Sequence, residues 1–475
     1  MVTLAARACR PVAPLRPQGR FGAARFALGM CAALCVAACS SLPADLSREG
    51  LVQRGKVPLQ SAGGPLSAAQ SKAVLDALKA RSPETGIFER HLALEEAITG
   101  SPLTTGNRVT LLQDGPATYD AMLGAIAQAR DHIHMETYIL DNDDVGQRFV
   151  AALTAKQRAG VQVNLLRDGA GTYGTPAALF APLVEAGAQV LTFNPLNPLQ
   201  ARKAWEINQR DHRKLLIIDG RTAFLGGINI SSVYSGGSSR SSKPNSTAWR
   251  DTDLQVQGPV VADLQKLFLA NWTAQKGPPL AQRNWFPPPA KAGNTVVRAI
   301  GSSPEEPFSQ IYATLLSAIH SAETSVQIAV AYFAPDPQLM AALKDAAARG
   351  VKVQLILPSQ TDSWLVFHAG RRHYEELLNA GVKVYERQGV ILHSKVALID
   401  GVWATVGSTN LDWRSFLHNH ELNAVVLGVD FGAQLQAMLE KDLAASIEIS
   451  LANWQHRGAP PRIKEWFARW WEYWL

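Results

Sequence analysis

Two histidines, His212 and His393, each stand two positions before a lysine and seven before an aspartate, in DHRKLLIIDGRTAFLGGIN and LHSKVALIDGVWATVGSTN. Each copy reads H-x-K-x4-D-x6-G-(G/S)-x-N, through His212, Lys214, Asp219, Gly226, Gly227 and Asn229, then His393, Lys395, Asp400, Gly407, Ser408 and Asn410. These residue types suit phosphodiester chemistry. One neutral imidazole can attack phosphorus, and a second, protonated one can supply the proton that a departing alkoxide needs. Two ammoniums and two side-chain amides can hold the non-bridging oxygens, so this chemistry asks for no metal and no other cofactor.

The local pattern says how such groups could be positioned. The aliphatic runs Leu215 to Ile218 and Val396 to Ile399 each close on Asp-Gly, which predicts a strand, a tight turn and a returning strand with a Gly-rich end. Residues two apart share a strand face, so His and Lys of each copy point the same way, and the asparagine returns to the same place. Gly227 and Ser408, next to that return, are grouped with Asn229 and Asn410 as substrate-contacting positions. Asp219 and Asp400 sit in the turn, away from the His/Lys face, which suits a structural part.

The wider chain repeats as well. A helix from Tyr119 to Ala129, a strand His132 to Leu140, a helix Val145 to Arg158 and a strand Val161 to Asp168 precede the first copy. Ile311 to Ala322, Ser325 to Tyr332, Pro337 to Arg349 and Val351 to Pro358 parallel them before the second. Alternating helices and strands argue an α/β class: two similar α-β-α sandwich domains with mixed sheets, related by a pseudo-twofold, with the active site at their interface. The boundaries expected are 106–272 and 296–450, joined by a Pro-rich linker at 273–295.

The twin pattern resembles the phospholipase D superfamily from about Val109 to Val429. HMETYILDNDDVG, NQRDHRK, WRDTDLQVQGPVV, AYFAPD, VGSTNLDWRS and NHELN are most similar to bacterial cardiolipin synthases. That resemblance implies catalysis by His212, Lys214, Asp219, His393, Lys395 and Asp400. It also makes Asp251 and Glu421, before the strand that follows each copy, the acids that orient the histidines. It implies a phosphatidyltransferase that passes a phosphatidyl group to phosphatidylglycerol through a phosphohistidine, with His212 as the nucleophile. A phospholipase D giving phosphatidic acid is the alternative, ahead of a nuclease or a non-catalytic scaffold.

The ends of the chain point to a membrane. Residues 1–38 carry five arginines, no acid and an apolar run from Phe26 to Ala38, the pattern of a signal peptide. Val36-Ala37-Ala38-Cys39 resembles a lipobox, which makes Cys39 a lipidation site and places the protein on a membrane facing the periplasm, with Ser40 favouring the outer one. All four cysteines lie at or before that point. Of 46 Lys+Arg against 40 Asp+Glu, removing the five arginines leaves 41 against 40. The basic excess therefore belongs to the leader, which argues against nucleic acid as a partner.

Residues 39–105 read as a tether, patternless from Ser40 to about Gly64, followed by helices at about Ser67 to Arg81 and His91 to Ile98. His91 reads as a surface or packing residue. The run SSVYSGGSSRSSKPNSTA from Ser231 reads as a mobile loop at the site's mouth, with Arg240 and Lys243 as candidate headgroup contacts and Tyr138 and Tyr332 at the entrance. In 451–475, a Pro-started helix of about 15 residues puts Ile463, Trp466, Phe467, Trp470, Trp471 and Trp474 on one face. At ~22 Å it is too short to span a bilayer but suits its interface.

Overall fold

The computed structural model describes residues 57–82, 84–236 and 247–474, with side chains to Trp471. The leader, Cys39, Ser40, Arg240, Lys243 and the Trp474 side chain lie outside the described residues. The chain is mixed α/β, and its two halves repeat the same sheet. In the first half the strands run, edge to edge, Leu103–Gln113, Thr252–Gln257, Thr222–Gly226, Leu215–Ile218, His132–Thr137, Gln162–Asp168 and Gln189–Phe193. In the second they run Thr295–Ser302, Asn419–Leu427, Trp403–Gly407, Lys395–Ile399, Ser325–Val330, Lys352–Pro358 and Lys383–Arg387. The last three of each set are parallel and the rest antiparallel. The two first strands pair antiparallel, Asn107 opposite Thr295 and Thr104 opposite Val297, and so join the sheets.

Alternation along the strands makes the layers. Leu215, Ile217, Ala223 and Leu225 face a core shared by both halves, with Phe268 and Trp272 of helix Val261–Ala274 and Leu435 and Met438 of helix Val429–Ala444. Leu216, Ile218 and Phe224 face the other way, onto Met122, Ile126, Phe149 and Leu153 of helices Asp114–Gln128 and Asp144–Arg158.

Both Asp-Gly hairpins close tightly. Asp219 and Gly220 have φ of 52° and 61°, and Asp400 and Gly401 50° and 67°. Such turns match the right-handed twist of the flanking strands. Each aspartate then clamps the start of the adjacent strand. Asp219 accepts from the backbone N–H of Arg130, Asp131 and His132 at 2.9, 2.8 and 3.0 Å, and Asp400 from those of Glu323, Thr324 and Ser325 at 3.0, 2.8 and 3.0 Å.

Several elements depart from the sequence reading. The tether is not patternless to its end: Leu59–Ser61 and Gly64–Pro65 form a hairpin, and Leu59, fully buried, pairs parallel with Leu103. The strand expected to reach Leu140 stops at Thr137, because Asn229 Oδ1 takes the Ile139 N–H at 3.2 Å, and Leu140 keeps only an isolated bridge to Ile230. The strand from Ser325 stops at Val330, and Phe333–Ala334 turns away to pair with Leu411–Asp412. The C-terminal helix is shorter than expected, Ala459–Ala468, tightening into a 3-10 turn over Arg469–Trp474 where bulky aromatics of poor helix propensity accumulate.

His91 is neither a surface residue nor a simple packing one. It is fully buried, with Nδ1 3.0 Å from the Ser317 hydroxyl and Nε2 2.9 Å from Glu95. Glu95 also faces Arg298 Nε at 3.0 Å and accepts from Trp403 Nε1 at 3.0 Å, so the N-terminal extension is pinned to the second half by a buried ionic network. Glu95→Ala leaves Arg298 buried with only Glu96 as counter-charge. We expect it to lose about 3 kcal/mol of stability, the low end for breaking a buried pair. Urea unfolding measures this directly, and an unchanged midpoint would contradict it.

Candidate active site

Short parallel bridges between the halves assemble the site. Arg210–Asp211, leading into His212, pairs with Asn419–His420, leading into Glu421. Trp249–Arg250, leading into Asp251, pairs with Ile391–Leu392, leading into His393. The His212 N–H donates to the His420 carbonyl at 3.0 Å, and the His393 N–H to the Arg250 carbonyl at 2.7 Å. The consequence is a crossed arrangement. His212 Nδ1 lies 3.1 Å from both carboxylate oxygens of Glu421, and His393 Nδ1 lies 2.7 Å from Asp251 Oδ2. Each imidazole is held by the acid of the other half.

A carboxylate on Nδ1 fixes the tautomer that presents Nε2 outward. Among the described residues, His212 Nε2 has no hydrogen-bond partner. His393 is more enclosed: Lys395 Nζ lies 2.8 and 3.2 Å from its two ring nitrogens and 2.5 Å from its carbonyl. Lys214 Nζ donates to the His212 carbonyl at 2.5 Å and sits 5.2 Å over the Tyr138 ring.

Electrostatics tie the half-sites together. Burial and the Lys214 and Lys395 charges push His212 down to about 4, against the pull of Glu421. Burial, helped by Lys395, lowers Lys214 to about 7 although Glu421 and Asp251 work the other way. Burial and Lys395 also lower His393, and burial lowers Lys395. Burial opposes the charge of Glu421, but His212, Lys214 and the Ser408 hydroxyl together hold it below the usual carboxylate range. Glu421 and Asp251 offset the two buried lysines, and the negative charge of an entering phosphodiester would raise the proton affinity of both lysines and both imidazoles.

The remaining sequence candidates are placed as follows. Asn229 and Asn410 are both buried. Asn229 Nδ2 donates to Tyr234 Oη at 3.1 Å, while Asn410 Oδ1 has no partner among the described residues. Gly227 and Ser408, expected at the substrate, each lie against one of the two acids. A Cβ on Gly227 would come within 2.2 Å of Asp251 Oδ1, and the Ser408 hydroxyl donates to Glu421 Oε2 at 2.5 Å. They shape the two acids, one by making room and one by a hydrogen bond. Asp219 and Asp400 lie at the turn, engaged with backbone N–H groups as described above.

Aromatic rings wall the site. Tyr138 packs edge-on to His212 at 5.1 Å, and Tyr332 edge-on to His393 at 6.0 Å. Two further residues escaped the sequence reading. Tyr234, in the Ser/Gly-rich run, brings its hydroxyl 3.3 Å from His393 Nδ1, and the Trp249 ring lies 4.9 Å from the same imidazole. Trp249 stands two residues before Asp251, and that adjacency was the available signal. Tyr234 had none, since its run reads as loop.

The family described as "Cardiolipin synthase, PLD-like domain" matches residues 122–236 and 315–443. A cardiolipin synthase of Geobacillus kaustophilus is 34% identical over 381 residues, covering 80% of this chain and 74% of that protein. Cardiolipin synthase A of Pseudomonas putida is 36% identical over 355 residues, 74% of this chain and 71% of that one. Among solved structures, a phosphatidylserine synthase of Haemophilus influenzae has the same fold, with TM-score 0.53 at 14% identity over 76% of this chain and 92% of its own.

Proposed function

The chain belongs to the cardiolipin synthase group of phospholipase D-like proteins, and from that premise we propose that it makes cardiolipin by phosphatidyl transfer between two molecules of phosphatidylglycerol. The observation that carries the reading is the crossed pair of His–carboxylate contacts, which gives one pocket two imidazoles with fixed tautomers and two buried ammoniums. His212 Nε2 attacks phosphorus, forming the P–N bond as the P–O bond to the departing glycerol breaks. His393, protonated in the presence of the anionic diester, gives that oxygen its proton. The free hydroxyl of a second phosphatidylglycerol then loses its proton to His393, attacks phosphorus and releases His212. Lys214, Lys395, Asn229 and Asn410 take the non-bridging oxygens, and Asp251 and Glu421 keep the rings in place.

Product analysis tests this. Purified protein with phosphatidylglycerol vesicles yields cardiolipin and free glycerol in equal amounts. Phosphatidic acid without cardiolipin would instead mean that water takes the phosphatidyl group, the hydrolase alternative.

The pH profile carries a sign. Protonating His212 removes its nucleophilic lone pair, and burial with Lys214 makes that protonation harder, so the acid limb of kcat/KM falls near pH 4 rather than near 6.5. Half-loss of kcat/KM already at pH 6 to 7 on the acid side would contradict an imidazole so depressed.

Lipidation at Cys39, a periplasm-facing position with the outer membrane favoured, and contact of the C-terminal helix with the bilayer belong to the same proposal. Their support is the arginine-rich leader with its apolar run to Cys39 and the aromatic face of the last helix. Among the described residues no helix is long and apolar enough to cross a membrane.

A further inference from the structure

The two half-sites repeat, but they differ around the imidazoles. Five residues after each motif asparagine stand Tyr234 and Ser415. The Ser415 hydroxyl accepts from the Asn410 N–H at 3.3 Å, within its own half. Tyr234 instead crosses to the other half: its Oη lies 3.3 Å from His393 Nδ1 and accepts from Asn229 Nδ2 at 3.1 Å. Two residues before each acid stand Trp249 and Asn419. The Trp249 ring lies 4.9 Å from His393, while Asn419 Nδ2 donates to Glu421 Oε1 at 3.2 Å. His393 is therefore enclosed by a phenol and an indole whose counterparts in the repeat are a serine and an asparagine.

Tyr234 is firmly mounted for this contact. It ends a 3-10 turn, Ser232–Tyr234. The Ser232 N–H donates to Asp143 Oδ2 at 2.6 Å, and Tyr119 Oη lies 2.6 and 2.8 Å from the Asn229 and Ser231 carbonyls. A Cβ on Gly115 would collide with the Tyr234 carbonyl oxygen, so helix Asp114–Gln128 packs directly on the turn. The side chain is buried, and burial with the Asp251 charge pushes its phenol well above the ordinary tyrosine value, so it stays neutral. A buried phenol hydroxyl needs polar partners, and this one has a partner from each half. Asp251 takes the His393 Nδ1–H at 2.7 Å, which leaves the phenol oxygen as a second acceptor for the same proton. We propose that the Tyr234 hydroxyl is a positioning group for His393, holding the ring so that Nε2 meets the glycerol oxygen that leaves in the first step and the hydroxyl that attacks in the second. This role rests on the transfer proposed above and deepens it, because it gives the two imidazoles different work for a structural reason: the proton carrier is the more closely held ring.

The test is Tyr234→Phe in the full chain, which removes one oxygen and keeps the packing. With phosphatidylglycerol as donor and acceptor, kcat for cardiolipin falls about 10- to 100-fold, the scale of a misplaced catalytic group, and KM changes by less than about threefold. With a nitrophenyl phosphodiester, whose leaving group needs no proton, nitrophenolate release in a single turnover stays within about threefold of the unaltered protein. In proton NMR the Nδ1–H resonance of His393 moves and that of His212 does not. A fall shared equally by both donors would put the hydroxyl's effect on Asn229, which faces the phosphate in each, and would overturn the proposal. Turnover unchanged with both donors would overturn it too, as would a His393 resonance that stays in place. Unaltered protein that makes phosphatidic acid and no cardiolipin would sink the transferase reading, and the NMR comparison would still decide whether Tyr234 holds His393.

Discussion

Alanine at His212 lowers phosphatidyl transfer by roughly 10⁴-fold or more while leaving vesicle binding intact, because it removes the atom that would carry the phosphatidyl group. His393 is held by Asp251 at 2.7 Å with Lys395 against its ring, whereas His212 Nε2 has no partner among the described residues. Alanine at His393 also cripples turnover, but for a different reason: the first step loses its acid and the second its base. A donor whose leaving group needs no proton, such as a nitrophenyl phosphodiester, should therefore recover its first step in His393→Ala and stay inert in His212→Ala. Recovery in His212→Ala alone would reverse the assignment, and recovery in both variants would contradict it.

The second large effect follows from the crossing of the halves. Glu421→Gln keeps the size of the side chain but removes the charge that orients His212, and the expected loss is about 10³- to 10⁴-fold, the scale of a mis-set imidazole tautomer. Asp251→Asn has the same effect through His393. Proton NMR separates the two. The Nδ1–H resonance of His212 should vanish or shift strongly in Glu421→Gln and persist in Asp251→Asn, with the converse for His393. Resonances that instead follow the acid of their own half would contradict the crossed arrangement.

Much of this site is legible in the residues themselves, and the limits of legibility have physical causes. The hairpins could be anticipated because Asp-Gly after an aliphatic run is a local signal, and both aspartates adopt the positive φ that such a turn requires. Their engagement with backbone N–H groups is in keeping with the turn position. The resemblance singled out the two acids, but not which histidine each one serves, and Glu421 lies within the strand Asn419–Leu427 rather than before it. His212 and Glu421 are 209 positions apart, and His393 and Asp251 142. The bridges that cross them are only two residues long, with no periodicity to read.

The neighbours of Gly227 and Ser408 were hidden for a related reason. A Gly-rich turn beside an asparagine suggests a phosphate cradle, while the small size at 227 is needed by the Asp251 carboxylate behind it. Tyr234 was invisible because the backbone around it reads as loop and its contact belongs to the other half. For the C-terminal helix, hydrophobic patterning alone cannot say whether an apolar face turns inward, and here the small residue Ala468 forms the buried side.

The most direct measurement is peptide mapping of the protein quenched in base-stable conditions during turnover of phosphorus-labelled phosphatidylglycerol. Label is expected on the peptide containing His212, accumulating in His393→Ala with an activated donor and absent from His212→Ala. Label on the His393 peptide, surviving His212→Ala, would contradict it.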